Sequence, residues 1–258
     1  MNISRFLSFA AVACLLIASS SALVSAAEPT SARALKPGQY NPADTSVDFF
    51  AAVKQGDIEV KMVHKDASQG KLFIKNKSGK PLNVKLPDTF VGVHAQMGGM
   101  GGGMGGGMQT TGGTAGGGGA AGGGAGGGGG NFFNVAPEKV GEVPFTSVCL
   151  EHGKPEPRAV AKYEIRPLES FSTKAEVREM LQLLGQGKLT QRAAQVLAWH
   201  YQSNMTMEEL AAKQIENLNA PSTPYFEAHE IQEALGARAF ITKKIQDAET
   251  AGPTTPKL

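Results

Sequence analysis

Two groups of side chains in the sequence have the chemistry of soft-metal ligands. Cys149 and His152 are spaced as C-x-x-H, which is half of a zinc motif, because a structural zinc site closes with four ligands. The second group lies in a glycine-rich segment and consists of Met97, Met100, Met104 and Met108. Thioethers favour Cu(I). The segment therefore offers copper as an alternative to our main prediction, which is that the protein holds no cofactor.

Other catalytic or cofactor patterns are missing from the sequence. It contains no Walker motif, no G-x-S-x-G elbow and no H-E-x-x-H. The glycine tract matches G-x-G-x-x-G by composition but lacks the following helix that a dinucleotide site requires. A nucleophilic pair of Cys149 and His152 is disfavoured, because the alternating pattern around the cysteine predicts a buried, inert thiol. An enzyme with scattered catalytic residues stays open, and it predicts a deep polar pocket between a β-sandwich and a helical bundle, lined by His152, His200 or His229.

The first 27 residues predict a secretory signal peptide. Arg5 supplies a positive charge, an apolar run covers residues 6–23, and the small residues that follow suit cleavage after Ala26 or Ala27. We expect no membrane anchor after cleavage. The predicted location is therefore the periplasm, the cell surface or the medium.

The composition of the mature chain narrows the function classes. Removal of the signal takes away Cys14 and leaves Cys149 as the one cysteine, so we expect no intrachain disulfide. With 25 basic and 23 acidic residues the net charge is +2. A nucleic-acid-binding domain would carry a strongly basic face, so the partner that we predict is a protein or another component of the cell envelope.

Residues 44–171 predict a short helix followed by a β-domain. Apolar and polar residues alternate in short strands on both sides of the glycine tract, at 58–62, 72–74, 82–86, 145–150 and 160–165. The turn-forming residues at 76–81 predict a hairpin between the second and third of these strands. Neither half has enough strands for a core of its own. We therefore predict one small immunoglobulin-like antiparallel β-sandwich.

The glycine-rich segment at 97–130 is predicted to be a disordered insertion in this sandwich. It contains 22 glycines in 34 residues, and glycine loses the most conformational entropy on ordering. Residues 28–43 predict a flexible leader, and residues 250–258 predict a disordered tail.

Residues 172–249 change to helical periodicity. Two capping boxes are predicted, one from Thr173 with Glu176 and one from Thr206 with Glu209. Thr190 is a candidate cap, and a last helix is predicted from Thr223 to about Ala248. Three to four short helices with brief loops predict a C-terminal helical bundle. The predicted fold class is α+β.

Four stretches of the sequence carry a resemblance to a known family: residues 71–87, 148–158, 163–170 and 191–200. Together with the glycine-rich insertion they resemble a family of uncharacterised exported proteins of planctomycete bacteria, over nearly the whole mature chain. The resemblance implies a bacterial envelope setting and carries no activity. Within the β part, the N-x-S-x-x-P-L-x-V stretch looks immunoglobulin-like.

These observations favour a non-catalytic exported protein with an interaction or structural role, in which the glycine-rich loop acts as a tether. The alternatives are a Cu(I)-binding protein that uses the methionines of the loop and an enzyme with scattered catalytic residues.

Overall fold

The computed structural model describes residue 38 and residues 40–95, 107–116, 131–218 and 220–251. The predicted signal peptide, the predicted leader up to residue 37, Met97, Met100, Met104 and the end of the predicted tail lie outside these residues. In chain order the elements are β1 (Thr45–Asp48), α1 (Phe49–Gln55), β2 (Ile58–His64), β3 (Gln69–Asn76), β4 (Leu82–Lys85), β5 (Phe90–His94), β6 (Thr111–Ala115), β7 (Phe132–Val135), β8 (Val140–Cys149), β9 (Tyr163–Pro167), α2 (Ala175–Gly185), α3 (Gln191–Ser203), α4 (Met207–Ala212), β10 (Gln214–Asn217), β11 (Ala220–Pro224) and α5 (Ala228–Ala251).

Six of the strands form a closed barrel in the order β2-β3-β8-β6-β5-β9. Every neighbouring pair is antiparallel. Strand β9 closes the barrel, since it pairs with β5 along its length and with β2 at Met62 and Tyr163. The predicted immunoglobulin-like sandwich is therefore wrong. Alternation predicts a strand with one buried face, and this pattern is the same whether that face lines a sandwich or a barrel.

Glycines make room for large side chains inside this narrow barrel. A Cβ atom at Gly113 would lie 2.6 Å from the ring of Phe90, and one at Gly70 would lie 2.4 Å from Cζ of Phe145. Phe90 is fully buried, and Phe145 is 3% exposed. A larger residue at either glycine would thus overlap an aromatic ring that has little space to move.

Strand β6 lies within the segment that we predicted to be a disordered insertion, so that prediction is wrong for Thr111–Ala115. On its outer face, a Cβ at Gly112 would lie 3.1 Å from Leu181 and 3.2 Å from Leu150, while Gly113 faces Phe90 inside. Glycine in this strand serves close packing, a role that composition alone does not distinguish from flexibility.

A second sheet has the order β1-β4-β7, with β4 parallel to β1 and antiparallel to β7. The predicted hairpin between β3 and β4 is wrong, because β3 pairs with β2 and β8 instead. The buried side chain of Asn76 lies where the chain leaves the barrel. Its amide donates to the carbonyls of Lys80 at 2.8 Å and Val135 at 2.9 Å.

The C-terminal helices pack against the outside of the barrel. Helices α2, α3 and α5 contact one another, and α2 and α3 contact β6 and β8 respectively. Val91, Val148 and Leu150 of the barrel share one apolar core with helix residues such as Leu181 and Leu197. A separate apolar core fills the barrel itself. Among the helices in the described ranges, none combines the length and apolarity needed to cross a bilayer.

The helix starts follow the sequence in part. Thr190 caps α3, and Thr206 and Glu209 form a complete capping box at α4, so both predictions are confirmed. The predicted capping box of Thr173 and Glu176 is wrong, because the N-cap of α2 is Lys174 and no side chain caps the helix. The predicted helix start at Thr223 is wrong, because residues 220–224 form strand β11 and α5 begins at Ala228.

Candidate functional site

Polar side chains line one end of the barrel interior. We call the set formed by His64, His94, Gln109, Thr111 and Tyr163 the barrel-end cluster. His64 is fully buried, and its Nε2 lies 3.2 Å from Oγ1 of Thr111. Because β2 and β6 lie on opposite sides of the barrel, this hydrogen bond crosses the interior.

The strand register brings the other members of the barrel-end cluster together. His94 lies directly opposite Tyr163 in the β5–β9 ladder. The ring of Tyr163 contacts both imidazoles, with centroid distances of 4.5 Å to His64 and 5.6 Å to His94. Its hydroxyl donates to the carbonyl of Gln109 at 2.9 Å. A single phenol ring therefore links the two histidines to the residue that leads into β6.

Two polar atoms of the barrel-end cluster are buried without a hydrogen-bond partner among the described residues. They are Nδ1 of His94 and Oε1 of Gln109. A buried polar atom that loses its partner costs about 1–3 kcal/mol of stability. Two such atoms at one end of a barrel mark a place where a polar group or ordered water would gain binding energy.

Burial sets the protonation of this cluster. It lowers the pKa of His64 from 6.5 to about 4, although hydrogen bonding and charge from Asp66 act in the opposite direction. At neutral pH the imidazole is therefore uncharged. Burial also raises the pKa of Tyr163, with smaller effects from Cys149 and Glu151, so its phenol keeps the proton that it donates.

Cys149 and His152, the residues of the C-x-x-H spacing, lie in different surroundings. Val148 and Leu150 pack against the helices, so the alternation of β8 turns Cys149 to the barrel interior. Burial, followed by the charge of Glu156, raises the pKa of the Cys149 thiol to about 12. The thiol is thus protonated at neutral pH and a poor nucleophile.

The ring of His152 contacts Trp199 instead, at 4.7 Å between centroids. Partial burial and the positive charge of Lys213 lower the pKa of this histidine. Of the four methionines of the predicted copper site, Met108 is partly buried and packs against the barrel core. In the part of the chain that the structure describes, no three His, Cys, Asp or Glu residues are placed to hold a metal ion together.

Two clefts bear on the enzyme alternative. The larger, of about 710 Å³, lies among the helices and is lined by His200, Tyr201 and Arg238 with residues of α4. The other, of about 470 Å³, lies between barrel and helices, and its lining includes Gln69 and Glu233 but no histidine. The predicted combination of a barrel–helix pocket with a histidine lining is not found in either cleft.

The β10–β11 hairpin stands apart from the rest of the protein. Every described residue of both strands is exposed. Ile215 is 45% exposed, and Leu218 at the turn is fully exposed. At the base of the hairpin, the Tyr225 amide donates to the carbonyl of Lys213 at 2.8 Å. None of the described hairpin residues belongs to either apolar core.

Sequence reasoning missed both the hairpin and the barrel-end cluster. For the hairpin, the asparagines at 217 and 219 and the proline at 221 are turn-forming types, but Thr223 and Pro224 also match a helix start. For the cluster, His64 and His94 each end an alternating run. Nothing local to either strand shows that the two histidines meet at one tyrosine.

No protein-family model matches the sequence, no curated protein is similar to it, and no solved structure matches the fold. We therefore infer the function from the geometry of the chain itself.

Proposed function

We propose that this is a non-catalytic exported interaction protein that binds a protein partner in the cell envelope through its β10–β11 hairpin. The observation that carries the proposal is an ordered hairpin in which every described strand residue is exposed. A two-stranded sheet is marginally stable in water without support. A hairpin whose described residues join neither apolar core of the chain is best explained by a surface on another molecule.

The two edges of the hairpin differ in their capacity to accept a partner. Strand β11 contains Pro221 and Pro224, which lack the amide hydrogen that a ladder requires. Strand β10 has no proline, and Ile215 lies in its middle. The β10 edge is therefore the one suited to adding an extended segment of the partner, a common mode of peptide recognition. Ile215 and Leu218 would supply the apolar contacts.

Export is part of the same proposal and is supported by the N-terminal sequence. The positive charge, the apolar run and the small residues at its end together match a cleavable signal. The final place of action is then the periplasm, the cell surface or the medium. N-terminal sequencing of the protein from the native cell would show a mature chain that begins at residue 27 or 28.

A pull-down from native envelope extract tests the hairpin. The bait is the mature chain, either unchanged, with the pair Ile215→Ser and Leu218→Ser, or with Val160→Ser as a matched control. Val160 is 90% exposed and lies outside the hairpin. We expect one partner with the unchanged chain and with the control, and its loss with the double variant, while the thermal midpoints of all three agree. Recovery of the same partner by the double variant would refute the docking role.

A further inference from the structure

Strand β10 presents a regular edge, whereas strand β11 carries a bulge. The ladder between them pairs Ile215 with Thr223 and Asn217 with Ala220. One residue of β10, Glu216, therefore lies opposite two residues of β11. A bulge bends the strand that contains the extra residue, so β10 is the straighter of the two edges.

The open side of β10 carries the backbone groups of Gln214 and Glu216. In an antiparallel ladder, residues that exchange hydrogen bonds with the neighbouring strand alternate with residues that do not. The amide of Tyr225 donates to the carbonyl of Lys213 at 2.8 Å, so Lys213 and Ile215 direct their backbone groups toward β11. Gln214 and Glu216 direct theirs away from β11, where a further strand can pair with them.

The base of the hairpin is held against the helices. The ammonium group of Lys213 lies 5.8 Å from the ring centroid of Trp199 and 5.2 Å from that of Tyr225. The guanidinium of Arg192 lies 5.1 Å from the same tyrosine ring. Cation–π contacts of this kind are stabilising. A lysine on an edge strand discourages pairing between molecules, but this lysine contacts rings of its own chain and leaves the edge open.

We propose that the occupant of the β10 edge is a second copy of this chain, with the two β10 strands antiparallel across a two-fold axis. This inference rests on the proposed docking role of the hairpin and names the partner. In the register that we infer, Gln214 lies opposite Glu216 of the second copy, and Ile215 lies opposite Ile215 of the second copy. The two hairpins then form one four-stranded sheet, which is more stable in water than two separate two-stranded sheets.

The sequence of β10 selects this register. A two-fold pairing that joins the outward backbone groups must centre on Gln214, Ile215 or Glu216. Centring on Glu216 places two carboxylates directly opposite each other, which is destabilising. Centring on Gln214 shortens the ladder, because the chain before Lys213 is helical. Centring on Ile215 pairs two apolar side chains and lets each Gln214 amide donate to a Glu216 carboxylate, as complementary cross-strand pairs do.

The size of the interface sets its strength. Stable complexes bury about 1,200–2,000 Å², which is more than two strands of four residues supply. We therefore expect a dimer that dissociates on dilution.

Sedimentation velocity of the mature chain over a concentration series tests the proposal. We expect a monomer–dimer equilibrium. Gln214→Glu places like charges opposite Glu216 in both symmetric pairs and should weaken association by about 2- to 30-fold, while Gln214→Lys should strengthen it by a similar factor. Ser222→Glu and Ser222→Lys are matched controls, because they put the same charges at an exposed position of β11 and should leave association unchanged. A monomer at every concentration, or the same effect from both charges at position 214, would overturn the proposal.

A covalent readout tests the register without depending on affinity. Directly opposite residues of a non-hydrogen-bonded pair have Cα atoms about 4.5 Å apart, within the range of a disulfide. The other cysteine of the mature chain, Cys149, is buried. Mild oxidation of Ile215→Cys should give a covalent dimer. Val160→Cys, at a position that is 90% exposed and outside the hairpin, should stay monomeric. A monomer from Ile215→Cys, or equal dimer from both variants, would reject the pairing.

The pull-down separates failure of this inference from failure of the proposed function. If the chain is monomeric and the unchanged bait recovers a different protein that Ile215→Ser with Leu218→Ser loses, self-pairing is rejected and the docking role stands. If the double variant recovers the same partner as the unchanged chain, the docking role is rejected and the self-pairing falls with it.

Discussion

At the scale of single residues, His64 has an unusual position for a titratable group. It is fully buried in the barrel, its ring packs edge-on against Phe145 and Tyr163, and its Nε2 lies within hydrogen-bond distance of the Thr111 hydroxyl. Charging this imidazole in the folded state is therefore unfavourable. The consequence is a coupling between protonation and folding.

We predict that the free energy of unfolding falls as the pH drops from 6.5 to 4. Burial lowers the folded-state pKa of His64 from 6.5 to about 4, so within this window the unfolded chain binds the proton more tightly. The stabilisation is complete above pH 6.5 and is lost as the pH falls through the folded pKa. The loss reaches about 3 kcal/mol at pH 4.

Urea unfolding of the unchanged chain and of His64→Gln, at several pH values between 7 and 4, measures this coupling. The variant removes the titrating group, so its unfolding free energy should lack this component of the pH dependence. The same slope in both proteins would show that His64 does not titrate as its burial implies.

The glycines of the barrel interior lead to a second prediction at the residue scale. Gly113→Ala would place a Cβ 2.6 Å from the ring of Phe90, and we expect it to destabilise the protein by about 1–3 kcal/mol through overpacking. Gly79→Ala is the control, because nothing lies within 4 Å of the added Cβ. Chemical denaturation measures the unfolding free energy of both variants. Equal effects would mean that the barrel interior has room for an added methyl group at position 113.

At the scale of elements, helix α3 completes the edge of strand β8. The ladder between β3 and β8 ends at Gln69 and Thr146. Beyond it, Gln191 donates to the carbonyl of Ser147 at 3.0 Å, and Gln195 bonds both the amide and the carbonyl of Cys149 at 2.8 Å. Four residues along a helix rise about 6 Å, which is close to the rise of two residues along a strand. The spacing from Gln191 to Gln195 in α3 therefore matches the spacing from Ser147 to Cys149 in β8.

We expect a large loss of stability when the side-chain amide of Gln195 is replaced. Gln195→Met keeps the approximate size of the side chain but leaves the amide and carbonyl of Cys149 buried and unpaired. Each unpaired group costs about 1–3 kcal/mol, so we expect a loss of about 2–6 kcal/mol by calorimetry or denaturant unfolding. Gln246→Met, at an exposed position of α5, is the control and should change little. A small effect at Gln195 would mean that water replaces its amide.

The helix caps and strand β6 show why some elements could be predicted from the sequence and others could not. The capping box at Thr206 and the cap at Thr190 depend on residues three apart in the sequence, so a local pattern suffices. Strand β6 was missed because its glycines have the composition of a flexible segment. Their role depends on Phe90, Leu150 and Leu181, which come from distant parts of the chain.

At the scale of the whole molecule, strand pairing decided both the fold and the candidate site. The short alternating strand predicted at 58–62 is confirmed within β2, and the one predicted at 145–150 is confirmed by β8 up to Cys149. Barrel closure depends on β9 meeting both β2 and β5, and no local pattern encodes that choice of partners. The barrel-end cluster shares this dependence, since His64, His94 and Tyr163 converge only after closure.

The packed parts of the molecule and the exposed hairpin are separate. Barrel and helices share one apolar core, while the hairpin remains exposed along its length. Ile215 and Leu218 are therefore free to contact a partner without loss of packing inside the chain. A partner bound there would leave the barrel-end cluster and its chemistry untouched.

Site-specific photo-crosslinking in the native cell tests the docking role most directly. A photoreactive phenylalanine analogue replaces Leu218 in one protein and Val160, which is also highly exposed, in another. If the hairpin binds a partner, we expect an adduct of one defined mass from position 218. This adduct should be lost when Ile215→Ser is added, and no such adduct should form from position 160. The absence of an adduct at 218, or the same adduct from both positions, would contradict the docking role.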